Sequence, residues 1–306
     1  MPHRRGPLKG RSSRGFALAA VVVCLVLVSV ALVGLARNSL RMAAESERMR
    51  QAFAARWAAQ SCRSALLSVA PDLFDRWEEE AALGKEPRPA PSSAVFRFRL
   101  GAVDLQVDLR DASAAFDINT AYHWVGRPRL EATLRRLVGA SAVPLLRLHP
   151  AVRSQGRPDP REEGAEAPAA FQAWGQVFSM ERLAPQQRAD LPRWTAQLTC
   201  LPDAGLNVRR APDAVLEATC RLVVSSSEAR KIRQACRKRP RPHVHRILEQ
   251  LGIDHRDQVL LRTLLTEQST CYAVWVEART ANDRRLLSAT IRYHEDGARG
   301  ATLSCY

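Results

Sequence analysis

Residues 16–36 read FALAAVVVCLVLVSVALVGLA, 21 consecutive residues without a charge. As a helix rising 1.5 Å per residue this run covers about 31 Å, the thickness of a bilayer's hydrocarbon core. No later stretch is long and apolar enough to repeat it, so the chain is expected to cross a membrane once. Arg4, Arg5, Lys9, Arg11 and Arg14 precede the run with no acidic residue among them. The positive-inside rule then places residues 1–15 in the cytoplasm and the remainder on the far side. That remainder belongs to a chain of 306 residues with 46% hydrophobic and 25% charged side chains, enough to build a buried core and too apolar to be disordered.

Three readings of the run compete. It is a plain signal anchor, a secretory signal cleaved near Gly34-Leu35-Ala36, or a prepilin-type leader that ends at Gly15 and leaves Phe16 as the new amino terminus. A run of 21 residues exceeds the 7 to 15 of an ordinary signal peptide's apolar region. Gly followed by Phe at the cytoplasmic boundary fits the third reading best. The helix is expected to continue past the membrane, because residues 37–69 contain neither Pro nor Gly and are rich in Ala, Arg, Glu and Met, all good helix formers. Within it Met42, Met49, Phe53 and Trp57 recur at steps of seven, four and four, an apolar stripe on one face. That stripe either packs in a bundle or filament or docks on the protein's own sheet.

Pro71, and then residues 84–93 with Pro87, Pro89 and Pro91, end the helical region and read as a linker. The period then changes to two. Phe96-Arg97-Phe98-Arg99-Leu100 and Leu105-Gln106-Val107-Asp108-Leu109 alternate apolar with polar around Gly101, the pattern of an antiparallel hairpin with one wet face. Phe116-Asp117-Ile118-Asn119 reads as a third strand. From 121 to 192 the pattern is helical, with Leu130, Leu134, Leu137 and Val138 at helix spacing and a loop near 155–168; a second helical block covers 211–265. Residues 269–278 and 286–293 form a closing hairpin around Ala281-Asn282-Asp283, followed by a strand at 301–306. The order is long helix, strands, inserted helices, strands, which makes the fold α+β.

The leader, the stretch DLQVDLRDASAAFDINTA (104–121), the stretch FSMERLAPQQRADLPRWTAQLTCLPDAGLNVRRAPDAVLEA (178–218) and the closing strands together resemble the K class of minor pseudopilins of the type II secretion system, general secretion pathway protein K. In that family an Ile-Asn-x-Asn-Thr-Ala element opens each helical unit. Here the first copy is Asp117-Ile118-Asn119-Thr120-Ala121, and the second, Leu206-Asn207-Val208-Arg209-Arg210-Ala211-Pro212, keeps the Asn and the Ala-Pro but loses the Thr. Asn, Thr and Pro at the head of a helix cap free N–H groups or occupy the first turn at no cost.

The resemblance implies a pilin-like long N-terminal helix packed on an antiparallel sheet (94–120 and 266–306), with a large inserted α-helical, SAM-like domain over 121–265. Residues 1–15 become the leader, 16–36 the transmembrane segment and 37–70 the periplasmic continuation of the helix. It implies cleavage by prepilin peptidase between Gly15 and Phe16, and N-methylation of Phe16. Residue five of the processed chain is Ala20, where most pilin-like proteins carry a Glu that pairs with a neighbouring subunit's amine; a subunit at the tip has no such neighbour above it. The implied work is therefore at the pseudopilus tip, with I-class and J-class minor pseudopilins as partners, initiating pseudopilus assembly for export of folded proteins across the outer membrane. The implied location is the bacterial inner membrane, with the body in the periplasm and secreted substrates as further contacts. A minor pilin of a type IV pilus and a generic single-pass anchored periplasmic protein are the alternatives.

Enzymatic chemistry is not expected. The sequence holds no Gly-x-Ser-x-Gly, His-Glu-x-x-His or Walker-type loop. The run 229–246 carries eight Lys or Arg with His243 and His245. However, nucleic-acid binders of this kind need a Gly-rich hairpin, and this chain has Val223-Val224-Ser225-Ser226-Ser227 instead. The acidic loop with Asp159, Glu162, Glu163 and Glu166 lacks calcium-loop spacing, so calcium is left open with no ligands assigned and no other cofactor expected. Apart from Cys24, six cysteines remain; the simplest disulfides are Cys220 with Cys236 and Cys271 with Cys305, and buried free thiols are the alternative.

Overall fold

The computed structural model describes residues 13–83, 90–139, 145–156, 168–184, 190–200, 205–239, 241–281, 284–293 and 299–305, the last two segments as backbone only. The chain divides into two compact units, residues 1–54 and 55–306. Helix α1 (Ser13–Leu83) supplies the described part of the first unit and opens the second. It passes through Pro71, so the helix extends beyond the expected stop at 70. An interior Pro costs about 3 kcal/mol, and here the flanking residues bury enough to offset it: Leu67, Ala70 and Phe74 are at most 5% exposed.

Strands β1 (Ser93–Leu100) and β2 (Val103–Asp111) form the expected hairpin, with Gly101 at φ +61 in its turn. They continue into a five-stranded antiparallel sheet, order β1-β2-β7-β8-β9, with β7 (Cys271–Arg279), β8 (Arg284–Tyr293) and β9 (Arg299–Cys305). The register sets Val107 between Phe96 and Val276, and Leu109 beside Val274. This apolar face meets the second half of α1: Phe74 stacks on Tyr272 at 5.6 Å and Trp77 on Phe96 at 6.4 Å.

Everything between β2 and β7, residues 112–270, is inserted in the sheet's chain path, and it is built as two halves. The first opens with β3 (Phe116–Asp117), which pairs in parallel with β4 (Leu198–Thr199) and leads into α2 (Ile118–Val138). The third strand of the sequence reading is thus a two-residue bridge outside the main sheet, because Ile118 and Asn119 already belong to the helix. This half also holds α3 (Trp174–Val177) and α4 (Leu191–Trp194). The second opens with β5 (Leu206–Asn207), paired in parallel with β6 (Leu265–Thr266). Helices α5 (Asp213–Cys220), α6 (Ser226–Arg237), α7 (Val244–Gln250) and α8 (His255–Leu264) complete it. One core runs through both halves, including Phe116, Leu134, Phe171, Leu216, Ile232 and Leu261, and Trp275 of β7 joins it from the sheet.

Candidate functional site

Gly15 and Phe16 lie on α1 just after its first residue, Ser13, and Phe16 is 79% exposed; residues 1–12 of the expected leader lie outside the described residues. The large apolar side chains from Leu18 to Leu35 are all exposed, and α1 is long and apolar enough to cross a membrane. Met42, Met49, Phe53 and Trp57 are also exposed, by 59% or more. The stripe is therefore not the face of α1 that packs on the sheet. Phe74 and Trp77 make the ring contacts with the sheet, and Leu67, Ala70 and Phe74 are buried, none of them part of the stripe.

The two halves of the insert begin with the same turn. The Asp117 carboxylate accepts the Asn119 backbone N–H at 2.8 Å, and the Asn207 side-chain oxygen accepts that of Arg209 at 3.0 Å. This equivalence puts Arg209 and Arg210 where the first half has Asn119 and Thr120. Asn119, 3% exposed, ties its half together: its Nδ2 donates to the carbonyls of Phe171 (3.1 Å) and Cys200 (2.7 Å), and its Oδ1 accepts the Phe171 N–H at 2.7 Å.

Arg209 and Arg210 do something else. Arg210, with a side chain 3% exposed, donates to Glu78 at 2.9 Å and Asp75 at 2.6 Å on α1, and to Asp111 at the end of β2 at 3.4 Å. Its guanidinium also lies 5.6 Å from the Phe74 ring centroid, within cation–π range. Arg209 donates to Glu78 at 3.1 Å and Glu267 at 3.2 Å. Glu267 in turn accepts the Val244 N–H at the head of α7 and contacts His243. Asp111 is fully buried and accepts the Ser113 N–H and the Ser269 hydroxyl. Burial pushes its carboxyl up to about 6, against the lowering effects of Ser269, Arg210 and Ser113. The cluster joins α1, β2 and the second half of the insert, all within the second unit. Sequence reading missed it; the one signal was a pair of arginines in place of Asn-Thr.

The basic run is partly neutralised internally. Arg233 and Arg237 both pair with Asp213 at 2.7 Å, and Arg237 also donates to the Val208 carbonyl. Arg230, Lys231, Lys238, Arg239, Arg241 and Arg246 are exposed. In place of a phosphate-gripping Gly hairpin, Ser225 and Glu228 form a capping box on α6. His243 and His245 have separate partners, Glu267 and Glu249, and do not converge.

Neither expected disulfide is formed among the described residues: Cys220, Cys236 and Cys271 are buried free thiols. The partners of Asp213, at the start of α5, flank Cys236. Cys220 lies at the other end of that helix, buried near enough to Cys236 for each thiolate's charge to disfavour the other's, with no bond between them. Cys271 stands opposite Arg292 and Cys305 opposite Leu287, on strands to either side of β8. Their Cα atoms are thus about 17 Å apart along the strands and two strand spacings across, beyond the ~7 Å a disulfide allows. Burial also pushes the Cys62 and Cys236 thiols up to about 11. No group of three metal-ligating side chains occurs among the described residues, and Asp159, Glu162, Glu163 and Glu166 lie outside them.

No family model and no curated protein matches the chain. Among solved structures it is similar to a chain of the GspK-GspI-GspJ complex from the enterotoxigenic Escherichia coli type 2 secretion system. The two are 18% identical with a TM-score of 0.48, over 86% of this chain and 100% of that one. At that score the likeness carries none of the functional reading, which stands on the residues and the fold.

Proposed function

We propose that this chain is a minor pseudopilin of the K class, acting at the tip of a type II secretion pseudopilus. The observation that carries the reading is α1 itself. One helix holds an uncharged, exposed run from Phe16 and, after Ala55, the buried face that packs on an antiparallel sheet. A signal anchor needs no such continuation, and a cleaved secretory signal would lose the membrane part of it. The insert supports a tip position, since residues 112–270 depart from and return to the same sheet and form a body too bulky for a closely packed shaft. Ala20 supports it as well, because a Glu there would cost about 2.5–3.5 kcal/mol in the membrane without a partner amine.

In this reading Phe16 is the processed, N-methylated terminus, and residues 16–36 hold the subunit in the bacterial inner membrane before assembly. The body lies in the periplasm, and I-class and J-class minor pseudopilins are its partners. The chain initiates assembly and has no catalytic role, no nucleic-acid partner and no required cofactor. The test is the amino-terminal mass of the protein extracted from cells with and without active prepilin peptidase. A chain starting at Phe16 only in the peptidase-positive cells is expected. An intact leader in both would return the plain signal anchor, and a start near Arg37 would make the protein a secreted one. A minor pilin of a type IV pilus shares the leader and the anchor; co-purification with I-class and J-class proteins separates it from the reading preferred here.

A further inference from the structure

Beyond α1, the large apolar side chains left exposed among the described residues are Val95 (57%), Phe98 (42%) and Leu100 (41%). All three are on β1, the edge strand of the main sheet, which among the described residues pairs only with β2. The Asp111 N–H donates to the Ser92 carbonyl at 2.9 Å, one step beyond the Ser93↔Arg110 pair. Hydrogen-bonded and non-bonded pairs alternate along an antiparallel ladder, so the N–H and C=O groups of Ser93, Val95, Arg97 and Arg99 face away from β2. The outer edge of β1 therefore presents eight backbone polar groups, set between apolar side chains. Such an edge is a template for another strand.

We propose that β1 is a docking edge for an extended segment of a partner protein that carries carboxylates at alternate positions. The charges select this occupant. Arg97 and Arg99 stand on one face of the strand, both exposed; of the acidic residues across from them on β2, Asp104 meets Arg99 at a loose 3.6 Å and Asp108, opposite Val95, is held by Arg110. A second copy pairing antiparallel through its own β1 in the registers that oppose Arg97 to itself or to Arg99 would set like charges directly opposite, which destabilise a ladder. An incoming strand with Glu or Asp opposite Arg97 and Arg99 turns the same positions into attractive pairs. Its intervening apolar residues would cover Phe98 and Leu100, on the face where Phe96 meets Trp77. The assignment goes beyond the pseudopilin reading and does not depend on it.

The experiment uses the full chain in detergent micelles and two labelled octapeptides, one alternating Val with Glu and the other Val with Lys. Fluorescence anisotropy reads binding, and amide hydrogen exchange reads its place. The Val-Glu peptide is expected to bind at least about tenfold more tightly, given two cross-strand pairs changed from repulsive to attractive. It should slow exchange at Ser93, Val95, Arg97 and Arg99. The double variant Arg97→Glu/Arg99→Glu, which changes only exposed side chains, should invert the peptide preference. Val95→Pro removes an outward N–H while leaving the β1–β2 ladder whole, and should weaken binding of the Val-Glu peptide. No binding of either peptide, binding without protection of those four amides, or a preference unchanged in the double variant would overturn the proposal. Concentration-dependent protection of the same amides without peptide would assign the edge to a second copy and overturn it as well.

Discussion

Arg210 holds three carboxylates from two distant segments, and its burial makes it expensive to remove. Replacing it with Met leaves Asp111 fully buried without the cation that lowers its carboxyl, so Asp111 either stays charged at a desolvation cost or takes up a proton, and Asp75 and Glu78 lose their partner as well. Removing one partner of a buried pair costs about 3–5 kcal/mol, so Arg210→Met should lower the unfolding free energy by that order in urea denaturation. Arg210→Lys should recover only part, because one ammonium cannot reach three acceptors as a guanidinium fork does. Asp111 adds a pH dependence of definite sign. Its carboxyl is raised from 3.8 to about 6, so the folded chain holds that proton more tightly than the unfolded one. The resulting stabilisation is complete below pH 4 and is lost as pH rises through about 6, a change of about 3 kcal/mol. Measured against Asp111→Asn, which cannot titrate, wild-type stability should therefore fall between pH 4 and pH 7; a constant difference would reject the assignment. Little of this was legible in the sequence. Asn119 could be read as a helix opener from its neighbours, but the partners of Arg209 and Arg210 on α1 lie 131 to 135 residues away, and no local pattern encodes them.

At the scale of elements, local pattern succeeded where one periodicity ruled and failed where tertiary packing overrode it. The β1–β2 hairpin was readable because alternation and a Gly turn agree. Phe116-Asp117-Ile118-Asn119 alternates equally well, yet Asp117 caps α2 through the Asn119 N–H, so the alternation ends after two residues. Pro71 was read as a stop, but burial of Leu67, Ala70 and Phe74 around it carries α1 on to Leu83. Helix α2 holds the opposite case: Gly126 breaks it at φ +73 and ψ 172, two residues before Pro128. That conformation is open to Gly and strained for any residue with a Cβ. Gly126→Ala should destabilise the protein by about 1–2 kcal/mol, seen as a lower thermal midpoint; an unchanged midpoint would mean the break tolerates a side chain.

At the scale of the whole molecule, the exposed apolar run 16–36 lies in the first unit and the buried core in the second. The order of long helix, hairpin, helical insert and closing strands followed from shifts in periodicity, since each shift marks a change in what a segment buries. The mutual placement of those pieces did not follow, because it depends on single contacts such as Phe74 on Tyr272, Trp275 in the helical core and Arg210 between α1 and β2. All of these contacts lie in residues 55–306, while the exposed run 16–36 adds apolar surface that needs a bilayer or detergent. A chain beginning at Ala55 should accordingly be soluble without detergent. It should also unfold in a single transition at the midpoint of the full chain, because the α1 residues that meet the sheet, Leu67 to Glu78, are retained. Differential scanning calorimetry and sedimentation velocity check both parts. Aggregation of the shortened chain, or a clear fall in its midpoint, would show that residues before 55 help to hold the body together, and that α1 works as more than a tether to the membrane.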